Sequence, residues 1–213
     1  NDMIGPVRHN MVYVDFSYTL KLGKSARLAL GLKGGMNMLN VGTGEFTNVQ
    51  TNDPAFVNVQ NQINPNVGFG VYYHNDRFFV GLSSPRILEK SSSVNHYQEQ
   101  RHFFALVGGI FSVTEQWKLR PSIQVKTTTG APISLDLSLA AIFKDKLWLG
   151  AMNRWNAAAG VFAQYQVNRQ FRLGLASEFG MTPLRNYNNG TFEVMLSYDF
   201  NYKKSDVKSP RYF

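Results

Sequence analysis

The charged residues Asp15, Lys21, Lys33, Arg120, Lys126, Asp136, Arg172, Glu178, Glu193 and Asp199 sit at every second position within otherwise apolar stretches. Acids and bases gathered on one surface could shuttle protons or select ions. They could equally neutralise one another as a paired network, and that reading is adopted. The histidines His9, His74, His96 and His102 lack metal-ligand spacing and read as solvated or interfacial groups. Gly68-Phe69-Gly70 is half of a dinucleotide fingerprint, but no helix follows it. No serine lies in a Gly-x-Ser-x-Gly context. Cysteine is absent, so disulfides and thiolate metal sites are excluded. No catalytic residue, metal ligand or cofactor site is assigned, and nothing argues for an enzyme.

The elements that carry these charges are strands, because the pattern has a period of two. Phe192, Val194, Leu196, Tyr198 and Phe200 alternate with Glu193, Ser197 and Asp199. Val12, Val14, Phe16, Tyr18, Leu20 and Leu22 alternate with Tyr13, Asp15, Ser17, Thr19 and Lys21. The same reading gives strands around Leu28–Met38, Val67–Tyr73, Phe78–Leu82, His102–Val113, Leu119–Val125, Ile133–Phe143, Leu147–Arg154, Val161–Tyr165 and Phe171–Phe179. Tight turns are expected at Gly23-Lys24-Ser25, His74-Asn75-Asp76, Thr114-Glu115-Gln116, Lys144-Asp145-Lys146 and Asn168-Arg169-Gln170. Polar loops run from about Val41 to Asn64, Pro85 to Arg101 and Met181 to Asn189. The facing of His102–Val113 is ambiguous, and Pro121 falls awkwardly inside a strand.

About eleven strands in 213 residues, joined alternately by short turns and longer loops, suit an antiparallel transmembrane β-barrel of the outer membrane. A soluble sandwich also alternates, but a dry core would not tolerate so many charges on the inward positions. Those charged positions are the candidate lumen-facing set. Aromatic residues gather near strand ends, where interfacial girdles sit: Phe78, Trp117, Phe143, Trp148, Phe171 and Phe200 toward the turns, and Phe103, Trp155, Phe179 and Phe192 toward the loops. No apolar run is long enough for a transmembrane helix, which strand-built membrane proteins do not need. The formal charge of +8 invites nucleic acid, yet Lys and Arg are scattered singly and form no basic helix, so no nucleic-acid partner is expected. An odd strand number cannot close a standard barrel. Asn1-Asp2 also opens the chain as if in mid-loop, so N-terminal strands are expected to be missing from a fragment or processed product.

Two stretches carry a resemblance: Ala131–Ser138 through Lys144–Met152, and Leu184–Gly190 into Val194–Phe200. With Asn64–Tyr73, Gly81–Arg86 and the opening Asn1–Pro6, they resemble the PorP/SprF outer-membrane proteins of the type IX secretion system of Bacteroidota. The resemblance implies about fourteen strands when complete. It implies a role in exporting or anchoring surface proteins such as gliding adhesins, with periplasmic and outer-membrane components of that machinery as partners and the lipid bilayer as surroundings. The alternative is a porin or small-solute transporter. Phe192, Val194, Leu196, Tyr198 and Phe200 resemble the C-terminal signal by which such barrels are recognised for assembly. Residues 1–200 are read as the barrel and 201–213 as a basic periplasmic tail. Outward positions should tolerate charge badly: Leu137→Arg is expected to cost about 2–4 kcal/mol, and Ser138→Arg far less. Urea titration of the folded, heat-modifiable band checks this, and equal losses would reverse the faces.

Overall fold

The computed structural model describes residues 2–4, 7–41, 62–88, 100–183, 185 and 190–199. Its strands are β1 (Asp2–Ile4), β2 (Val7–Lys21), β3 (Arg27–Val41), β4 (Gln62–His74), β5 (Phe78–Ser84), β6 (His102–Gly109), β7 (Phe111–Ser112), β8 (Trp117–Thr128), β9 (Ser134–Phe143), β10 (Leu147–Arg154), β11 (Ala158–Gln166), β12 (Phe171–Gly180) and β13 (Thr191–Tyr198). They form one antiparallel sheet in chain order, with the two-residue β7 pairing only to β8. The all-β antiparallel architecture read from the periodicity is therefore the one adopted. The eleven strands foreseen are β2–β6 and β8–β13. The expected strand His102–Val113 is divided into β6 and β7, and one short piece is new, β1, which pairs with the start of β2. Asp2 is thus strand, not mid-loop, while Asn1 lies outside the described residues. β3 and β4 also run further toward each other than expected, to Val41 and from Gln62.

The tight turns form where the sequence places small polar caps. The Asn75 Oδ1 atom accepts from the amides of Arg77 and Phe78, and the Asn168 Oδ1 atom from those of Gln170 and Phe171. Thr114 Oγ1 does the same for Gln116 and Trp117. Lys144 and Asp145 both take positive φ, 49° and 57°, which is the backbone of a type I′ hairpin turn and matches the strand twist. These turns cluster at one end of the sheet because every strand is antiparallel to its neighbour.

The ladders fix the faces. Residues directly opposite share a face, so Phe16↔Leu32↔Phe69 carries one face from β2 to β4. Leu82↔Ala105↔Val125↔Leu135 continues it through β5, β6, β8 and β9. Ala151↔Val161 and Leu175↔Val194 bring it to β13. This apolar face is open to the surroundings, with Val14 at 73% and Val194 at 76% exposure. The register also settles β6: Phe103, Ala105 and Val107 join the apolar face, and His102, Phe104 and Leu106 the other. Pro121 fits because the ladder toward β6 ends at Gly109 and Ile110, which lie opposite Pro121 and Arg120 in the running register. A residue without an N–H leaves no donor stranded there. One girdle assignment needs correction. Trp148 lies opposite Ile142 and Gln164, on the second face, and is 9% exposed.

That second face is packed by rings laid over glycines. Tyr13 faces Gly35, Phe79 faces Gly108 and Phe162 faces Gly150, each ring occupying the space a Cβ would need. Phe79, Ala140 and Ile142 are fully buried beneath this layer. At Gly35 the obstacle includes the Val12 carbonyl oxygen, which cannot rotate away, whereas Gly34 has open space around its Cα. Gly35→Ala should therefore cost about 1–3 kcal/mol and Gly34→Ala well under 1 kcal/mol. Thermal unfolding of the two variants side by side checks this, and equal midpoints would refute the close approach.

Candidate functional site

The register gathers the sequence-selected charges on the face opposite the apolar one. Asp15 lies directly opposite Lys33 across β2 and β3. Lys126 lies opposite Ser134, Gln124 opposite Asp136, and Arg120 opposite Ala140 across β8 and β9. Arg172 and Glu178 on β12 lie opposite Gln166 and Gly160, and Glu193 on β13 opposite Ala176. Lys21 closes β2, and Asp199 follows β13 with its amide donating to the Gln170 carbonyl.

Within that face the charges form three groups. Toward the end with the longer connections, Lys126 Nζ donates to Asp136 Oδ2 at 2.5 Å, and Arg154 Nε donates to Asp136 Oδ1 at 3.1 Å. Arg154 Nη1 then reaches Glu178 Oε1 at 3.3 Å, linking β8, β9, β10 and β12. Ser134 Oγ donates to the same Asp136 carboxylate. Farther along, Lys33 pairs with Asp15 at 3.5 Å and stands over the Tyr13 ring. The third group lies toward the short turns. The Arg120 guanidinium sits 4.7 Å from the Phe79 ring centre and 6.0 Å from that of Trp148. Arg172 approaches Trp148 at 6.0 Å and donates to Gln166 Oε1 at 2.8 Å. Cations lying over aromatic faces keep part of their solvation energy without a carboxylate partner.

These contacts neutralise and hold; they do not assemble a nucleophile with a base. The histidines stay apart, with His9 on β2, His74 closing β4 and His102 opening β6, while His96 lies outside the described residues. Lys21 and Glu193 form no ion pair among the described residues. A trough of about 290 Å³ crosses the same face, lined by small side chains including Ser17, Gly31, Gly70, Gly81 and Ser83 beside Gln124.

A family model described as type IX secretion system membrane protein PorP/SprF matches residues 1–198. The chain belongs to the PorP/SprF family. No curated protein matches it. Membership makes it a membrane component of the type IX secretion system, and it adds no catalytic assignment. The match ends on Tyr198, the last residue of β13.

In this PorP/SprF chain, the sequence reading missed several residues of the charged face. Arg154 is the central one. It shares its face with Trp148, Gly150 and Met152, so the alternation of β10 could have found it, but those neighbours are not polar. Lys118, paired with Asp145 at 2.7 Å, was hidden by the turn. The start of β4 up to Asn64 was read as loop, yet Asn64 is buried, as is its neighbour on the same face, Asn66. Its Oδ1 atom accepts from the amides of Ile87 and Leu88, and its Nδ2 atom donates to the Leu88 carbonyl, beside the backbone bond from the Ile87 amide to the Val67 carbonyl. Tyr13 also donates to Asn37 Oδ1. Of the closing-strand set, Phe192, Val194, Leu196 and Tyr198 lie exposed on the apolar face, while Phe200 and the basic tail 201–213 fall outside the described residues.

Asp136 accepts from two cations at once, so its loss strands both. Asp136→Asn should lower the unfolding free energy by about 1–3 kcal/mol, and Glu178→Gln by less, since Glu178 holds one end of the network. Urea unfolding at low and high salt measures both, and a larger loss for Glu178→Gln would misplace the centre of the network.

Proposed function

We propose that the chain is the wall of an outer-membrane β-barrel that supports export or surface anchoring of proteins, such as gliding adhesins, by the type IX machinery. The observation that carries this reading is the unbroken division of the sheet into one apolar face, continuous across every main strand, and a second face that gathers the charges together with polar groups, glycines and rings. A lipid-facing side and a lumen-facing side require that division in every strand. Asp15, Lys21, Lys33, Arg120, Lys126, Asp136, Arg172, Glu178, Glu193 and Asp199 then line the lumen. Residues 1–198 supply barrel wall. Short turns face the periplasm and longer connections the outside, as in bacterial barrels.

Closure sets a condition. β2 and β13 run in the same direction, because ten antiparallel steps separate them along the sheet. An all-antiparallel barrel therefore needs an odd number of further strands between these edges, and β1, antiparallel to β2, starts such an addition. Three further strands would bring the total to about fourteen.

The porin alternative is weaker, because the lumen charges away from the short-turn end are mostly tied to one another in ion pairs that span the strands. Deleting the gene should abolish export or anchoring of surface adhesins and a plasmid copy should restore it. Unchanged surface adhesin would overturn the proposal. Planar-bilayer recordings separate the alternative, since steady ion-selective conductance would favour a porin.

A further inference from the structure

Most of the charged face neutralises itself; one row does not. At the short-turn end Lys21 on β2 lies directly opposite Arg27 on β3, and Arg27 directly opposite His74 on β4. Like charges opposite each other on one face of a sheet repel. Neither Lys21 nor Arg27 forms an ion pair among the described residues. The strand ends add Lys118 and Arg172 on the same face, and the short turns add Lys24, Arg77, Lys144, Lys146 and Arg169. Against these nine stand four acids at that end, Asp76, Glu115, Asp145 and Asp199, one of them tied to Lys118. The other end differs in sequence. The strand ends and connecting segments there carry Arg8, Arg86, Lys90, Arg101, Lys126, Arg154 and Arg185 against Asp2, Glu45, Asp53, Glu89, Glu99, Asp136, Glu178 and Glu193, which nearly cancel. The short-turn mouth thus carries an excess of five positive charges out of the net +8.

We propose that this short-turn mouth is a docking site for an acidic protein segment, which enters the barrel opening and neutralises the Lys21–Arg27 row. The inference rests on the barrel reading above. Anionic lipid headgroups are a poorer match, because Lys21, Arg27, Lys118 and Arg172 lie on the face turned away from the apolar one and hence from lipid. Residues 200–213 are a poor match as well. They carry Lys203, Lys204, Lys208 and Arg211 with Asp206 the one acid. What remains is a partner whose Asp or Glu side chains reach inside the rim, where electrostatic complementarity speeds association and fixes orientation.

The test uses the full-length protein from outer membranes, placed in phosphatidylcholine nanodiscs, with a fluorescent oligoglutamate peptide as probe. Binding should be measurable and should weaken as salt rises from about 0.05 to about 0.5 M. Lys21→Gln with Arg27→Gln should weaken it about tenfold, Lys24→Gln with Arg77→Gln about threefold, and Arg185→Gln at the opposite end not at all. Because Lys21 and Arg27 repel, neutralising them should leave the heat-modifiable folded band intact. Loss of that band in the wild type would defeat the barrel reading itself. Loss of the band in the Lys21/Arg27 double variant alone would show that the pair is structural and overturn the docking site. Equal peptide affinity in wild type and both double variants would also overturn it. So would binding only to nanodiscs with added phosphatidylglycerol, which would assign the charge to lipid.

Discussion

An unbroken antiparallel register, held from β2 to β13, is the constraint on which the remaining structure depends. In a membrane every backbone N–H and C=O must find a partner within the protein, because hydrocarbon supplies none. A ladder that meets this demand also fixes the facing of every side chain, since a slip of one residue would turn a whole strand over. The register here makes no such slip. Even the gap at Ile110 preserves it: Phe111↔Leu119 continues the alignment that Gly108↔Ser122 began. The division into an apolar and a charged face is therefore a consequence of backbone pairing, and no single side chain has to enforce it.

Given that division, the charged face has to manage groups that are only partly hydrated. It does so differently along the strand direction. Toward the longer connections, carboxylates are interposed between cations, and Asp136 bridges Lys126 and Arg154. Toward the short turns, carboxylates are scarce and rings take their place, with Phe79 beneath Arg120 and Trp148 between Arg120 and Arg172. The rings themselves need room, and cross-strand glycines give it. A Cβ at Gly108 would strike the Phe79 ring, so the glycine, the ring and the guanidinium form one stack whose members depend on each other. Lys21 and Arg27 have neither device, which is why they stand apart.

Much of this was legible in the sequence, for a physical reason. Alternation is a one-dimensional signal, and where one face meets an apolar surrounding every second residue must report it. Strand count, the tight turns and the shared face of the charged set follow from that signal alone. The signal fails where the second face also carries apolar residues. β10 reads Leu147-Trp148-Leu149-Gly150-Ala151-Met152, so Trp148 looked like an interfacial ring and Arg154 was not assigned a face. Only the partner strand decides: Trp148 opposite Ile142 and Arg154 opposite Asp136. The start of β4 failed for the opposite reason. Asn64 is polar enough to read as the end of a loop, yet the charged face buries it beside Asn66, whose side chain adds bonds to Ile87 and Leu88 where β5 has ended. Pairing partners, which no periodicity contains, were the missing information.

The edges show the same logic at its limit. Among the described residues, β1 covers only the first residues of β2, so the stretch from Asn10 to Lys21 has a neighbour on one side alone, and β13 has only β12. A strand edge in water can be blunted by charge or proline, but one in hydrocarbon leaves a row of unpaired donors and acceptors, each costing several kcal/mol. Neither edge is blunted: Val12, Val14 and Phe16 on one, and Val194 and Leu196 on the other, keep the full apolar alternation of interior strands. Under the proposed barrel reading, both edges are paired in the mature assembly. Because β2 and β13 point the same way, they cannot pair antiparallel with each other, and the strand that meets β13 must run as β1 does.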